Sequence, residues 1–342
     1  MKMTAVTYFT KEFLVQGTVS IRSLSRVEPD TTIYALCIDQ VSFDYLSLQF
    51  NKTNVIPVNL IQLPEIKKLF ETLVRTRTFF ESLITLKPLI LEHFLSNLEE
   101  SAYLIYFDAD LYFYESFSAR LLGIGDFDLL LSEHLFPRKL KKNVYYGKFN
   151  AGFLVFKSSA RGRNLLRNWK KMCLDDCSLV ATDSVYGDQK YLQQFENSNG
   201  VQLLRDPGIN NGQYYFQSRR TIKRNFATGS ILIDGFPLIC FHFHGIRINA
   251  KFIQTGFNRY NKPYRAIRIF RFIYLPYINR ILFEIAVAVK AIPDFLGRNV
   301  QQDQIKRSSQ TFKSILRFTI LPICLYRFKS VRIKQAINEG AH

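Results

Sequence analysis

Short apolar runs alternate with longer amphipathic segments over the first part of the chain. The runs TAVTYFT, TTIYALCID, TNVIPVNL, AYLIYFDADLYFY, FDLLLSE and GKFNAGFLVFK have the length and apolar content of strands. VQGTVSIRSLSRV predicts a helix. IKKLFETLVRTRTFFESLITLKPLILEHFL predicts a long helical region interrupted before Pro88, because proline disfavours helix at the residue before it. This alternation predicts an α/β fold whose mainly parallel, Rossmann-like sheet carries helices on both faces.

The pattern changes in the last third of the chain. RAIRIFRFIYLPYINRILFEIAVAVKAI places Arg265, Arg268 and Arg271 at intervals of three among apolar residues, which predicts a basic amphipathic helix. FKSILRFTILPICLYRFKSVRIK is a weaker pattern of the same kind, broken by Pro322. We therefore expect a catalytic-type domain over residues 1–255 and a basic helical extension over residues 256–342. The extension either packs as ordinary helices with solvated arginines or lies on an anionic membrane surface.

The charge is strongly basic and unevenly placed. The 342 residues carry a formal net charge of +18, which favours nucleic acid, anionic lipid or phosphorylated substrates as partners. From Arg247 to His342 there are 18 Lys and Arg against four acids, 18 − 4 = +14, so most of the excess lies in the last third. A basic RNA-binding or membrane-binding protein without catalysis is therefore one alternative, although no RNP-like or KH-like pattern is present and we expect no nucleic acid partner.

The cysteines and the first residues indicate the compartment. The five cysteines include no CxxC pair and are expected to be reduced. MKMTAVTYFT leads directly into a strand without the apolar core of a signal peptide, and we find no uncharged apolar stretch of about 18 residues. These features predict a cytoplasmic protein without a spanning helix.

Two carboxylates stand inside an apolar run, LIYFDADLYFY. Asp108 and Asp110 follow the fourth predicted strand, and burying such charges without partners is costly. Ligands of α/β sheets bind at the carboxyl ends of the strands, where a divalent cation would neutralise the pair. The alternation in FHFHG puts His242 and His244 on one face of an extended segment, which suits either a metal or phosphate site or core histidines.

Four motifs in order carry a family resemblance: YFDAD, FNAGFLVFK, YGDQKYL and FHFHG, preceded by TYFTKEFLVQGTVSIRSL. Together they resemble metal-dependent nucleotide-sugar glycosyltransferases of the GT-A fold, and are most similar to glycosyltransferase family 8 and related bacterial polysaccharide enzymes. The resemblance covers roughly residues 4–260. It implies transfer of a sugar from a nucleoside diphosphate, most readily a UDP-sugar, to a saccharide or lipid-linked acceptor in surface polysaccharide or lipopolysaccharide synthesis. The enzyme would work at the inner face of the membrane, with Mn²⁺ or Mg²⁺.

The resemblance also implies roles for individual residues. The metal ligands would be Asp108, Asp110 and His242, with Asp108 shared with the ribose of the donor. Asn150, Asp188 and Gln189 would line the pocket of the donor sugar. Gly245 would let the backbone approach the diphosphate. The nucleoside would contact the side chains at the ends of the first two strands, Thr7, Tyr8, Thr10 and Asp39.

Several assignments stay open. The Lys-Pro-Trp that follows the histidine in the family is replaced by IRINAKF, so Arg247 or Lys251 would contact the diphosphate, and His244 is the alternative to His242 as ligand. Arg75, Arg77 and Lys87 would reach the nucleotide or its phosphates, or are solvated helix charges. If the family relatives invert the anomeric centre, Asp188 is the candidate base. A nucleotidyltransferase is disfavoured because TYFTKEF has no glycine, and a dehalogenase-type phosphatase because Leu-Tyr follows the Asp pair.

Overall fold

A computed structural model of the chain describes residues 2–248, 252–255, 267–292, 295 and 330–332. The chain divides into two compact units, Met1–His242 and Phe243–His342. The sequence places the boundary between residues 255 and 256, so the first unit ends 13 residues earlier than the predicted domain (255 − 242 = 13). The functional division between the predicted domains stays a prediction.

The first unit contains six α-helices and thirteen strands within the residues that the structure describes. The helices are α1 (Leu14–Val27), α2 (Gln40–Gln49), α3 (Pro64–Thr76), α4 (Phe79–Ser96), α5 (Ser118–Leu122) and α6 (Ala160–Asp175). The longer strands are β1 (Met3–Phe9), β2 (Thr32–Cys37), β3 (Val55–Asn59), β4 (Tyr103–Phe107), β6 (Leu129–Glu133), β7 (Phe149–Lys157) and β8 (Val201–Leu204). The shorter ones are β5 (Leu111–Phe113), β9 (Ile209–Asn211), β10 (Ile222–Arg224), β11 (Ile231–Ile233), β12 (Phe236–Pro237) and β13 (Cys240–His242).

Seven strands form the main sheet, in the order β3-β2-β1-β4-β7-β6-β8. Four of the six pairings are parallel, and β7 runs antiparallel to both β4 and β6. The predicted α/β fold with a mainly parallel sheet is therefore confirmed. Because β1, β2 and β4 point the same way, their carboxyl ends meet at one edge, and the first residues of the antiparallel β7 join them there.

The core follows from the alternation of side chains along these strands. Leu104, Tyr106, Leu154 and Phe156 point to one face of the sheet, where they pack with buried residues of α3, α4 and α6. On the other face, Phe107 and Phe153 make ring contacts with Phe113, and Phe153 also contacts Phe117. Both faces are thus covered, which explains why all five residues of β4 are buried and read as one apolar run.

The long helical region is interrupted at a different place from the predicted one. It breaks between α3 and α4 at Arg77 and Thr78, and Pro88 lies buried inside α4, so the predicted break before Pro88 is wrong. Thr78 begins α4 with a capping box: its Oγ1 accepts a hydrogen bond from the Glu81 amide at 3.2 Å, and Glu81 accepts one from the Thr78 amide at 3.1 Å. The capping box at Thr78, ten residues before Pro88, therefore determines where the helix begins, and the proline does not end it.

A smaller three-stranded sheet, β5-β13-β9, forms the rest of the site region in the first unit. AYLIYFDADLYFY was predicted as one strand. It is two, because β4 ends at Phe107 and the chain turns through the Asp pair before β5 begins at Leu111 in the smaller sheet. Helix α2 was not predicted; its N-cap is Asp39, which accepts from the Ser42 amide at 2.9 Å.

The second unit is described over part of its length. It contains three short strands, β14 (Arg247–Ile248), β15 (Phe252–Gln254) and β16 (Ser330–Arg332), and one long helix, Ile267–Ala291. The helix contains a π-helical turn at Phe270–Tyr274, after its first three residues, and continues as α7 (Leu275–Ala291). Its buried side includes Ile273, Tyr277 and Ile281. The predicted amphipathic helix is confirmed for residues 267–291. The weaker pattern, 312–334, lies outside the described residues except for β16, which is a strand.

By length and composition, Ile267–Ala291 could also cross a membrane, a property it shares with core helices of soluble proteins. The criterion of about 18 uncharged apolar residues excludes this helix, because Arg280 and Glu284 interrupt its apolar residues.

Candidate active site

The Asp pair lies in the turn between two sheets. The Asp108 amide donates to the Gly152 carbonyl of β7 at 2.8 Å, and the Leu111 amide donates to the Asp108 carbonyl at 3.1 Å. These two bonds hold the backbone on both sides of the turn. The carboxylates therefore project from a position that the β4–β7 pairing defines, at the edge where the parallel strands end.

Strand pairing also brings His242 to the same place. β13 runs antiparallel to β5 with His242 opposite Leu111, the residue that follows Asp110. The Nε2 atom of His242 lies 3.0 Å from Oδ1 of Asp110 and 3.7 Å from Oδ2 of Asp108. One ligand atom from each of the three side chains lies within 4.8 Å of the others, and they form the one such group among the residues that the structure describes.

The other nitrogen of His242 is held by two asparagines. Its Nδ1 lies 3.1 Å from Oδ1 of Asn210 and 3.3 Å from Nδ2 of Asn150. Nδ2 of Asn150 also donates to the carbonyl of Asn210 at 3.1 Å, so the carboxamide oxygen of Asn210 is the natural acceptor for an Nδ1–H of the imidazole. That arrangement leaves the lone pair on Nε2, facing the carboxylates, which is the state that a metal ligand requires.

Asn210 occupies an unusual backbone conformation. Its φ is +56°, in the left-handed region that asparagine tolerates better than most residues. Its Nδ2 donates to Oγ of Ser132 at 2.7 Å and to the carbonyl of Asn150 at 3.1 Å. The buried network of Ser132, Asn150 and Asn210 therefore fixes the orientation of the imidazole. None of the motifs singled out in the sequence contains Asn210, so its role follows only from the structure.

Gly152 allows the carboxylate and imidazole to approach β7. A Cβ added at this position would lie 2.5 Å from Cε1 of His242 and 2.9 Å from Oδ2 of Asp108. These distances are too short for any side chain, so the glycine of FNAGF makes room for the cluster. This glycine is visible in the sequence, but its role follows only from the register between β4 and β7.

Lys87 connects the cluster to Asp188. Its Nζ lies 2.8 Å from Oδ2 of Asp188 and 3.5 Å from Oδ1 of Asp108, and its side chain is only 7% exposed. Nζ also lies 3.3 Å from the carbonyl of Ala151 and above the ring of Tyr106, whose hydroxyl donates to Oδ1 of Asp108. The main chain of Asp188 is held in turn by Nε1 of Trp169, which donates to its carbonyl at 2.9 Å. Of the predicted phosphate contacts in α3 and α4, Lys87 is thus the one that the structure brings into the site.

The electrostatics of the cluster favour positive charge. Burial works against the ammonium of Lys87, but Asp108 and Asp188 outweigh it and raise its pKa above the usual value. Burial likewise opposes a charge on His242, and Asp110 with Asp108 raises its pKa nonetheless. Burial raises the pKa of Asp188, an effect that Lys87 only partly offsets. The carboxylates therefore stabilise the charged forms of Lys87 and His242 at this edge of the sheet.

The donor set fits a hard divalent cation. Two carboxylates and one imidazole, with Nε2 directed at both carboxylates, supply the oxygen-rich ligands that suit Mn²⁺ or Mg²⁺. Because Gly152 has no side chain, the backbone of β7 comes close to the cluster, and the atoms of His242 and Asp108 occupy the space that a Cβ would need. Asp108, Asp110 and His242 are thus the residues that could hold the metal. His244 belongs to the second unit, where it forms a turn with Gly245 after β13 has ended at His242.

The residues predicted to hold the nucleoside lie at the ends of β1 and β2. Thr7 is fully buried within β1, and the hydroxyl of Tyr8 donates to the carbonyl of Leu83 at 2.8 Å. Thr10 follows β1, where its carbonyl accepts from the Phe13 amide. Asp39, besides capping α2, accepts from the Lys11 amide at 2.6 Å, which ties the loops after the two strands together. Their roles toward a nucleoside stay predictions.

Other predicted residues lie in different surroundings. Gln189 donates from Nε2 to the carbonyl of Tyr146 at 2.8 Å. Arg75 is exposed on α3. Arg77 donates to the Cys173 carbonyl at 2.8 Å and also to that of Leu174, near the end of α6, so its guanidinium is already engaged in joining helices. In the second unit, Gly245 has a φ of +85° and Arg247 is exposed in β14. Lys251 lies outside the described residues.

A separate groove of about 730 Å³ lies between α3, α4 and α6. Its lining includes Ile66, His93, Leu95 and Arg163, and it contains none of the residues that form the Asp-Asp-His cluster. Among the described residues, the groove lacks a convergence of ligand atoms like that of the cluster. The candidate functional site is therefore the Asp-Asp-His cluster at the carboxyl edge of the main sheet and not this groove.

The fold and the cluster define an α/β protein with a mainly parallel seven-stranded sheet and a candidate Asp-Asp-His metal site at its carboxyl edge. The chain is 31% identical to YfnF, an uncharacterized protein of Bacillus subtilis (strain 168), over 252 residues that make up 71% of this chain and 81% of YfnF. The chain belongs to the same family as YfnF. It is also 26% identical over 282 residues to YfnD, a second uncharacterized protein of that strain, covering 80% of this chain and 87% of YfnD.

No model of an established protein family matches the sequence. Among solved structures, the chain is similar to the galactosyltransferase LgtC, crystallised in complex with donor and acceptor sugar analogs. The two share 16% sequence identity, with a TM-score of 0.47, over 71% of this chain and 87% of LgtC. At this TM-score the likeness carries no conclusion about the activity of the chain.

Proposed function

We propose that the chain is a metal-dependent glycosyltransferase that moves a sugar from a nucleoside-diphosphate donor, most readily a UDP-sugar, to a saccharide or lipid-linked acceptor. The observation that carries the proposal is the convergence of Asp108, Asp110 and His242 at the carboxyl edge of the sheet. The ordered motifs around these residues support it, because each motif that resembles the glycosyltransferases supplies a residue of the same cluster or its surroundings.

Asp108, Asp110 and His242 would hold Mn²⁺ or Mg²⁺. When bound, such a cation supplies charge stabilisation for the diphosphate that leaves as the glycosidic bond breaks. The chain contributes orientation: Asn210 directs His242, Gly152 makes room for it, and Lys87 keeps Asp188 and Asp108 at fixed positions. Asn150, Asp188 and Gln189 would contact the donor sugar.

Asp188 has two possible roles, which depend on the stereochemistry. In a retaining reaction it would hold the donor sugar next to Gln189, while in an inverting reaction it would accept the proton of the acceptor hydroxyl. Burial raises the pKa of Asp188, and its contact with Lys87 partly offsets this in favour of the charged form. The configuration of the product, read by NMR, distinguishes the two.

We also propose that the protein acts in the cytoplasm at the inner face of the membrane, in the synthesis of a bacterial surface polysaccharide. The excess of Lys and Arg in the last third supports this location. The solvent-exposed side of Ile267–Ala291 supports this location as well, because it combines Arg271, Arg280 and Lys290 with the apolar Leu275 and Phe283.

The test is a thermal-shift screen of UDP-, GDP- and dTDP-sugars in the presence and absence of Mn²⁺, followed by assays for sugar transfer and donor hydrolysis. Ligands of the folded state raise the unfolding temperature, so one donor should stabilise the protein only when the metal is present. If no nucleotide-sugar stabilises it and none is consumed, the proposal fails. RNA binding unaffected by UDP would then favour the non-catalytic alternative.

A further inference from the structure

A basic segment lies on the surface beside Gln189. Residues Arg138–Tyr146 form a 3₁₀ helix of sequence RKLKKNVYY, in which Arg138, Lys139, Lys141 and Lys142 are exposed. No acidic residue occurs between His134 and Lys148. Within the described part of the chain, none of the four cations takes part in an ion pair of the kind that engages Lys148 with Glu196. We call this element the basic segment.

The end of the basic segment is docked on Gln189. The carbonyl of Tyr146 accepts the hydrogen bond from Nε2 of Gln189, and Gly147 follows with a φ of +134°. A Cβ at Gly147 would lie 3.0 Å from Cγ of Gln189, so only glycine allows this close approach without a shift of the side chain. Asp188 precedes Gln189 and pairs with Lys87, which places the basic segment beside the candidate active site.

Three tyrosines accompany the cations. Tyr145 and Tyr146 are 45% and 44% exposed although both are large aromatic residues. The ring of Tyr146 contacts that of Tyr186 at 5.0 Å, and Nζ of Lys190 lies 4.1 Å from the centre of the Tyr145 ring. These contacts hold the rings in place while leaving part of each in solvent. Rigid, partly exposed aromatic rings with a polar edge are suited to packing against a sugar ring.

We propose that the basic segment and these tyrosines bind the acceptor, and that this acceptor carries a phosphate group close to its sugar. The proposal rests on the proposed glycosyltransferase function, which it deepens by naming the chemical class of the acceptor. Four cations in a segment that contains no acidic residue attract a phosphate over about a Debye length, roughly 8–10 Å, and the tyrosines offer the sugar a surface beside them. The phosphate belongs either to a lipid diphosphate that carries the sugar or to a phosphodiester-linked saccharide chain.

The experiment measures binding of three probes to the full chain with Mn²⁺ and UDP present. They are N-acetylglucosamine linked through diphosphate to farnesol, a short poly(glycerol phosphate) chain bearing sugars, and a neutral N-acetylglucosamine oligomer. The wild-type protein should bind one phosphate-bearing probe and bind the neutral oligomer more weakly. K139A/K141A/K142A should weaken that phosphate-dependent binding at least about tenfold, because charge-assisted contacts to the phosphate are removed. The probe that is bound identifies the source of the phosphate.

A second triple variant is the matched control. R219A/K223A/R224A removes the same charge from exposed positions near β10 and should leave probe binding unchanged. Y146A should weaken binding, and Y146F should restore it because the ring is kept. Equal losses in the two triple variants, no loss in K139A/K141A/K142A, or no preference of the wild-type protein for phosphate would overturn the proposal. Metal-dependent UDP binding, measured on the same samples, reports separately on the proposed function.

Discussion

Gly152 is the residue on which the shape of the candidate metal site most directly depends. Its hydrogen atom points to where Cε1 of His242 and Oδ2 of Asp108 converge, and a methyl group there would lie 2.5 Å from the first of these atoms. His242 belongs to β13, and the Asp108 amide donates to the carbonyl of Gly152 itself, so neither backbone can move without breaking hydrogen bonds. Gly152→Ala should therefore displace the ligands and abolish detectable Mn²⁺ binding, as measured by electron paramagnetic resonance of the free ion.

Gly123→Ala serves as the control for this substitution. The nearest atom to an added Cβ there is 3.6 Å away, an ordinary contact, and its backbone is helical. Mn²⁺ binding of this variant should match that of the wild-type protein. Wild-type affinity in Gly152→Ala would contradict the assignment of the cluster as a metal site.

Asn210 would affect a bound metal through His242. Removing its carboxamide deletes the acceptor for Nδ1–H of the imidazole, so the ring can rotate and the proton can move to Nε2. Loss of such an outer contact typically weakens metal binding about 10–100-fold. We expect this loss in Asn210→Ala, measured by calorimetric titration with Mn²⁺.

Asn211→Ala separates this effect from a general loss of stability. Asn211 is equally buried, but its side chain donates to the carbonyl of Asp206 and its oxygen faces Tyr214 instead of His242. It should lose stability without losing Mn²⁺ affinity. Equal Mn²⁺ affinities in the two variants would show that Asn210 does not orient the ligand.

The sequence indicated the candidate metal ligands more readily than the residues that position them. Asp108 and Asp110 could be predicted because they are charged residues in an apolar run, and His242 because it lies in the FHFHG motif. Gly152 and Asn210 acquire their roles only from the pairing of β7 with β4 and of β9 with β13. Such roles depend on which strands are neighbours, and residue type and spacing do not reveal that.

At the scale of elements, helix α4 delivers Lys87 to the site. The helix begins at the Thr78–Glu81 capping box, and Glu81 also accepts from the Leu179 amide at 3.0 Å, so the same residue anchors the loop that leads to Asp188. Thr78→Ala removes one half of the box. It should lower the free energy of unfolding by about 1 kcal/mol, measured by urea denaturation.

Thr72→Ala in the neighbouring helix is the matched substitution. The hydroxyl of Thr72 is exposed and bonds only the Lys68 carbonyl within its own helix, where alanine is a better helix former. This variant should be as stable as the wild-type protein or slightly more stable. A Thr78→Ala variant of unchanged stability would mean that the capping box does not determine where α4 begins.

The alternation of strands and helices was predictable because six of the seven strands of the main sheet lie in distinct apolar runs; β8, the short VQLL at one edge, was not predicted. The boundaries of helices and strands inside continuous apolar sequence could not be predicted. The break before α4 depends on one capping interaction that outweighs a proline, and the split of AYLIYFDADLYFY into β4 and β5 depends on the change from one sheet to another. Helix α2 escaped prediction because its sequence, QVSFDYLSLQ, has only a weak amphipathic pattern and buries few residues.

At the scale of the whole molecule, the basic charge of the last third has a testable consequence. Arg271 and Arg280 lie on the exposed side of Ile267–Ala291 near Leu275 and Phe283. Each basic residue near an anionic leaflet contributes about 1 kcal/mol. R271E/R280E should therefore reduce binding to phosphatidylglycerol vesicles by at least about tenfold in a sedimentation assay.

The control for charge reversal is R219E/K223E, at exposed positions of the first unit. It changes the net charge by the same amount, and it should leave vesicle binding close to that of the wild-type protein. A similar loss in both double variants would mean that net charge alone attracts the membrane. Unchanged binding in R271E/R280E would remove the support that this helix gives to a membrane location.

The proposed function requires that Asp108, Asp110 and His242 bind a divalent cation that in turn binds a nucleoside diphosphate. Isothermal titration calorimetry with UDP, with and without Mn²⁺, measures this on the wild-type protein and on Asp110→Ala. We expect UDP binding that requires Mn²⁺ in the wild-type protein and is lost in Asp110→Ala, while circular dichroism shows that the variant remains folded. UDP binding of equal strength with and without Mn²⁺, or no UDP binding by the wild-type protein, would show that the cluster does not hold such a cation.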